Sequence, residues 1–214
     1  EYLVAHPGNY RDLTLEQGLL NVAEALAMSW RGVQDELKTK AGPLTILLES
    51  MAGARNQLGG DLSELATLRQ LAGPYVDVPI GFCLDTCHLY VSGKDISTEI
   101  GLEAIVSEAD EILGLEHIPI IHSNDAKTPL GSHMDRHANI GDGYIGIEGF
   151  RRILSHPRLH EKAFILETPV DKPGDDLRNV TVLKELAPFP NKRLTTKKSK
   201  RPGTSGGKTI PRST

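Results

Sequence analysis

The chain has 214 residues, 39% of them hydrophobic, and two cysteines close together, Cys83 and Cys87, which excludes a globally disordered chain and a disulfide framework and allows one sizeable domain. The formal charge of -4 is uneven: eight of the 24 Lys and Arg lie from Lys192 onward with no acid, leaving 16 against 28 acids in the first 191 residues, about -12. A body this acidic does not hold nucleic acid by bulk charge, so any such binding needs a local basic patch or metal ions.

Five short apolar runs recur along the chain: YLVA at 2–5, LTILL at 44–48, PIGFCL at 79–84, IPII at 118–121 and AFIL at 163–166. Runs this short, buried on both faces and alternating with helical segments, predict a parallel sheet of βα units. Thr14 with Gln17 forms a capping box for a helix reaching about Lys38. Asp61 caps the next helix, and Ser97 or Thr98 the one through about Leu113; shorter helices are expected near 147–155 and 177–187. Trp30 is expected in the core of the first helix.

Each strand is followed directly by a residue that can bind a metal: His6, Glu49, Asp85, His122 and Glu167. The C-terminal ends of parallel strands share one face, so the five side chains converge where TIM barrels build their sites. Taken singly, each has a bland reading as a cap or a satisfied core group, but five in succession argue against coincidence. Three carboxylates at one mouth repel one another unless a cation sits between them. Imidazole together with carboxylate suits zinc, with manganese or iron as alternatives.

A second cluster adds His88, three residues after Asp85, and the pair Asp135 and His137 in the Gly-rich stretch GSHMDRHANIGDG. Alternate residues of an extended segment face the same way, so Asp135 and His137 can grip one ion together, with His88 as a third ligand. So many donors exceed the four that one zinc uses and point to a multinuclear centre, as used in phosphoester cleavage. A sugar isomerase or epimerase on the same scaffold needs one or two metals and fewer His. His117, His156 and His160 fall outside these motifs and read as surface residues, whereas Cys83 and Cys87 read as buried packing thiols.

HPG at 6–8, LLESMAG at 47–53, GFCLDTCHLYVSGKDI at 81–96, HSNDAKTPLGSHMDRHANIGDGYIG at 122–146 and ILETP at 165–169 closely resemble the endonuclease IV family. The resemblance implies a TIM (β/α)8 barrel of the xylose-isomerase type, here a partial barrel over 1–190 matching about the last five βα units. It implies a zinc-dependent hydrolase of base-excision repair that cuts duplex DNA 5′ to abasic sites and clears blocked 3′ ends. Three zinc ions are implied: Glu49 bridges one shared with His6 and another held by Asp85, His122 and Glu167, while His88, Asp135 and His137 hold the third. A zinc-activated hydroxide, assisted by Glu49, is the implied nucleophile. The family's first three strands have no counterpart in the chain, and one of them supplies a His to the zinc of His6 and Glu49. A catalytically inactive remnant that keeps partial zinc binding is therefore an alternative.

Lys127 and Arg136 are candidate DNA contacts, and His133 stands where the family commonly has Arg. Residues 191–214, rich in Lys, Gly, Ser and Thr, are expected to be a disordered basic tail. Its KKSKR cluster reads as a nuclear-import signal or a loose DNA-binding extension. With no apolar run of about 18 residues and no signal-peptide pattern, the expected setting is intracellular, in the nucleus with a mitochondrial pool open, without membrane association or an obligate protein partner.

Overall fold

The computed structural model describes residues 1–40 and 43–188, so the expected tail at 191–214 lies outside the described residues. In chain order the elements are β1 (Tyr2–Ala5), α1 (Leu15–Lys40), β2 (Thr45–Glu49), α2 (Leu62–Ala72), β3 (Ile80–Asp85), α3 (Thr86–Val91) and α4 (Glu99–Leu113). They continue with β4 (Ile120–His122), β5 (Asp125–Ala126), β6 (His137–Ala138), α5 (Gly146–Ser155), β7 (Ala163–Ile165) and α6 (Asp175–Leu186). Strands β1, β2, β3, β4 and β7 form one sheet in that order, every pair parallel, while β5 and β6 form a separate antiparallel pair. The five apolar runs thus form the parallel sheet they predict, and with their helices they make a partial TIM barrel.

The helices begin where the polar side chains can cap them. The backbone N–H of Gln17 donates to Thr14 Oγ1 at 3.2 Å, that of Ser63 to Asp61 Oδ1 at 2.9 Å, and that of Gly101 to Thr98 Oγ1 at 3.2 Å. Each bond satisfies an N–H that the first turn leaves without a partner. Thr98, rather than Ser97, caps α4. Helix α3 follows β3 with no intervening loop, because the Asp85 carboxylate accepts the His88 N–H at 2.8 Å and caps it.

Pleating divides the sheet into two faces. Ile46, Leu48, Ile80, Phe82, Leu84 and Ile121 pack with the helix residues Leu65, Leu68, Ile105, Val106 and Ile153 into the main core. Phe82 is fully buried, with the Arg69 guanidinium 4.8 Å above its ring, and truncation to Ala at such a site costs about 3–5 kcal/mol. The opposite face carries a small apolar layer of Leu47, Cys83 and Ile120 with Val4 against it. The outer strands depart from the expectation of burial on both faces: Tyr2 and Leu3 of β1 and Ile165 of β7 are exposed, because each of these strands has a sheet neighbour on one side only. Trp30 is buried as expected.

Among the described residues, no helix is long and apolar enough to cross a membrane.

Candidate metal centre

The strand register explains why the five strand-end residues meet. Val4 lies beside Leu47, Glu49 beside Cys83, Cys83 beside Ile120, Asp85 beside His122, and His122 beside Ile165. Two residues along a strand return to the same face. His6, Glu49, Asp85, His122 and Glu167 are therefore the next same-face positions beyond Val4, Leu47, Cys83, Ile120 and Ile165, one layer above the small apolar cluster.

Their polar atoms form a connected set. Glu49 lies between three imidazoles, with Oε2 3.2 Å from His6 Nε2 and Oε1 3.0 Å from His122 Nδ1 and 3.4 Å from His88 Nδ1. His122 Nδ1 is also 3.1 Å from Glu167 Oε2. On the other side of His88, its Nε2 is 3.1 Å from Asp135 Oδ2, and His137 Nε2 is 3.3 Å from Asp135 Oδ1. Donor atoms of Glu49, Asp85, His122 and Glu167 lie within 4.8 Å of one another, as do those of His88, Asp135 and His137. The structure thus brings all eight candidate ligands together, though among the described residues His6 meets Glu49 alone of the carboxylates and its side chain is 57% exposed.

These side chains are aimed as well as gathered. His88 Nδ1 is 2.8 Å from the Ser50 carbonyl and His137 Nδ1 is 3.0 Å from the Glu167 carbonyl, so each ring donates there and presents Nε2 as a lone pair. Both Nε2 atoms are buried without a hydrogen-bond partner although Asp135 oxygens lie close by. One donor atom each from His88, Asp135 and His137 lies within 4.8 Å of the others, close enough for the three to share one ion. The donor set fits a divalent cation.

The charges agree. Burial pushes Glu49 up, but hydrogen bonds and charge from His122 and His88 outweigh it and hold the carboxyl at about 2. Burial pulls His88 and His137 down, yet Asp135, with Glu49 and Asp85 for His88 and with Asp85 and the Glu167 carbonyl for His137, raises them to about 11 and about 9. His122 is raised in the same way by Glu49, and Asp135 is held well below the usual carboxylate range by His137 and His88. Asp85 moves the other way, upward, because it is fully buried. In the absence of ions, protons on the imidazoles supply the positive charge that the acids require.

Residues outside the predicted set support it. Asn124, fully buried, donates its amide to Asp85 Oδ2 at 2.5 Å and accepts the Glu167 N–H on Oδ1 at 2.8 Å. Ser50 Oγ accepts the Asp85 N–H at 3.0 Å. The buried Asp125 carboxylate accepts N–H bonds from Ala126, Gly141, Gly143, Ile145 and Gly146, tying the loop after His137 to β5. Gly143 is required there, since a Cβ would lie 2.5 Å from Asp125 Oδ1. The signal for Asn124 and Asp125 was their place directly after a ligand-bearing strand, but their partners are remote in sequence.

Lys127 and Arg136 are both exposed on the β5–β6 hairpin, where Arg136 Nη1 donates to the Asp135 carbonyl at 2.8 Å. Cys83 and Cys87 are buried free thiols, and burial raises the Cys87 thiol to about 12. His156 corrects the surface reading: it is buried, with Nε2 3.0 Å from Glu103 Oε2 and Nδ1 accepting the Arg158 N–H.

A parallel α/β sheet with acids and imidazoles gathered at its C-terminal mouth defines a protein of the TIM-barrel class with a candidate metal centre. The chain matches the xylose isomerase-like TIM barrel over residues 1–187. It is 51% identical over 187 residues to the probable endonuclease 4 of Solibacter usitatus, covering 87% of this chain and 62% of that one. Identity to the probable endonuclease 4 of Aquifex aeolicus is 36% over 183 residues, covering 85% and 61%. The crystal structure of endonuclease IV from Thermus thermophilus superposes with a TM-score of 0.66 at 34% identity, covering 87% of this chain and 61% of that one. The chain belongs to the xylose isomerase-like TIM barrel family and, within it, to the endonuclease IV family. It spans about three fifths of the length of these relatives.

Proposed function

We propose that the protein is a DNA-repair endonuclease that hydrolyses the phosphodiester 5′ to an abasic site in duplex DNA, at a centre of three zinc ions. The observation that carries this reading is the convergence of eight nitrogen and oxygen donors at one sheet mouth, and the similarity to endonuclease 4 proteins supplies the substrate class. Glu49, Asp85, His122 and Glu167 would hold one ion, His88, Asp135 and His137 a second, and His6 with Glu49 a third. When bound, such ions lower the pKa of a nearby water and offset charge on the attacking and leaving oxygens of the phosphodiester.

The chain's own residues do the rest. Glu49 stays ionised under the influence of His122 and His88, so it would contribute negative charge to the ions on both sides of it. Through Oε2, on the more open side toward His6, it would orient the attacking water by accepting a hydrogen bond from it. The Ser50 and Glu167 carbonyls hold His88 and His137 in the tautomer that leaves Nε2 free. Lys127 and Arg136, exposed beside the centre, meet the phosphate backbone.

The test is incubation of the zinc-loaded chain with a duplex carrying one abasic site. Cleavage on the 5′ side, leaving a 3′ hydroxyl, is the expected result; a chain that holds three zinc ions and leaves the duplex intact overturns the reading. One observation favours a second reading, zinc binding without cleavage: the exposed His6 pairs with Glu49 alone among the carboxylates. Under that reading the chain retains zinc at His88, Asp135 and His137, lacks the His6 ion, and does not nick.

A further inference from the structure

Among the described residues, three that are not glycine adopt the left-handed backbone conformation: Arg11 at φ 52°, Arg55 at φ 45° and His133 at φ 54°. All three can carry positive charge, and all lie in loops leaving the C-terminal end of the sheet, after β1, β2 and β4, beside the candidate ligands His6, Glu49 and Asp135. A residue with a Cβ is disfavoured in this conformation relative to glycine, so a side chain kept there needs a reason.

For His133 the reason is internal, because its Nδ1 lies 2.9 Å from the Ala52 carbonyl and braces the loop that carries Arg55. The two arginines have no such reason. Their backbones are well held: the Arg11 N–H donates to Asn9 Oδ1 at 2.7 Å, the Arg11 carbonyl accepts from Asn56 Nδ2, and Arg55 sits in the turn closed by the Gln57 N–H to the Ala54 carbonyl at 2.9 Å. Glycine could make every one of these backbone contacts. Both side chains are exposed, and neither guanidinium has an ion-pair or hydrogen-bond partner among the described residues.

The two loops are also one body. Tyr10 N–H donates to the Asn56 carbonyl at 3.0 Å, Leu58 N–H to the Gly8 carbonyl at 2.9 Å, and Asn9 forms a backbone bridge with Gln57. Two unpaired guanidinia are thus presented from one stitched edge of the sheet mouth, in a chain whose first 191 residues carry a net charge of about -12. From this juxtaposition we infer that Arg11 and Arg55 are a paired grip for successive phosphates of a duplex DNA backbone, a basic patch that offsets the acidity of the body. The inference rests on the DNA reading above and adds the residues that would anchor the strand on the β1–β2 side.

The test uses the full chain loaded with zinc and an intact duplex, which is not cut. Arg11→Gly, Arg55→Gly and the double variant are compared with wild type, with Arg151→Ala on α5 as a distant control. Each arginine removed should flatten the dependence of log Kd on log salt by about 0.9, while the thermal midpoint stays level or rises because glycine relieves the backbone. Arg151→Ala should leave the salt slope unchanged. An unchanged slope in the double variant overturns the grip while leaving the DNA reading intact. So does a lowered midpoint in the glycine variants, which assigns the side chains to holding the chain itself. Absence of duplex binding by wild type overturns both.

Discussion

Asn124 and Asp85 are joined by a bond of 2.5 Å from the amide nitrogen to carboxylate Oδ2, deep in the sheet and away from solvent. The other end of the same amide takes the Glu167 N–H at 2.8 Å, so one small side chain sets the distance between two strand ends that each carry a candidate ligand. Groups that orient ligands in this way typically account for about 10–100-fold in metal affinity. Asn124→Ala should weaken zinc binding by about that factor, read by competition with a chromophoric chelator. Unaltered affinity would show that the amide bonds serve packing alone.

The two donor sets share no residue, which makes the metal content separable. His137→Ala should remove one zinc per chain, leaving the ions held by Glu49, Asp85, His122 and Glu167 and by His6 with Glu49. His156→Ala, which removes a buried ring that contacts Glu103 on the helix side, should change stability and leave the metal count unchanged. Elemental analysis of dialysed protein reads both; equal zinc in His137→Ala and wild type would exclude His137 as a ligand.

The metal-free chain should lose stability toward alkaline pH. His88 and His137 have folded values of about 11 and about 9, above the ordinary 6.5, so their contribution is complete below about 6.5 and disappears as pH rises through 9 and then 11. Zinc requires the same nitrogens unprotonated, so its binding strengthens over that range. The midpoint difference between zinc-loaded and chelator-treated protein should therefore widen from pH 6 to pH 9, as followed by circular dichroism. A difference that is constant or narrows over this range would falsify the assignment of both imidazoles.

Asp125 holds several N–H groups of the loop that follows His137. Asp125→Ala would leave buried donors without an acceptor and should cost about 3 kcal/mol or more. Loss of the loop frees β6, so the variant should also lose the His88, Asp135 and His137 ion before the other. A denaturant titration with zinc measured alongside would detect either outcome.

Much of this was legible because strands buried against helices leave an unbroken apolar record, and the residue just beyond each run is the candidate ligand. LTILL before Glu49 and IPII before His122 are both of this kind. Helix α3 was not legible, since six residues are too few for a helical period and the apolar LYV continues the pattern of the preceding strand. Nor was the hairpin of β5 and β6, with two residues in each strand. The burial of His156 depends on Glu103, 53 positions away, and the role of Asn124 depends on Asp85 at 39. Such contacts come from tertiary packing, and no local pattern records them.

The pleat places every strand-end ligand on the same parity as the apolar layer of Val4, Leu47, Cys83 and Ile120. A slip of β3 by one residue would present Leu84 at the mouth and drive the Asp85 carboxylate among Leu48, Ile121 and the helix side chains. Metal occupancy would thus proofread the pairing of the sheet: a misaligned strand removes its own candidate ligand from the centre, and only the correctly threaded chain would be sealed by the ions it collects.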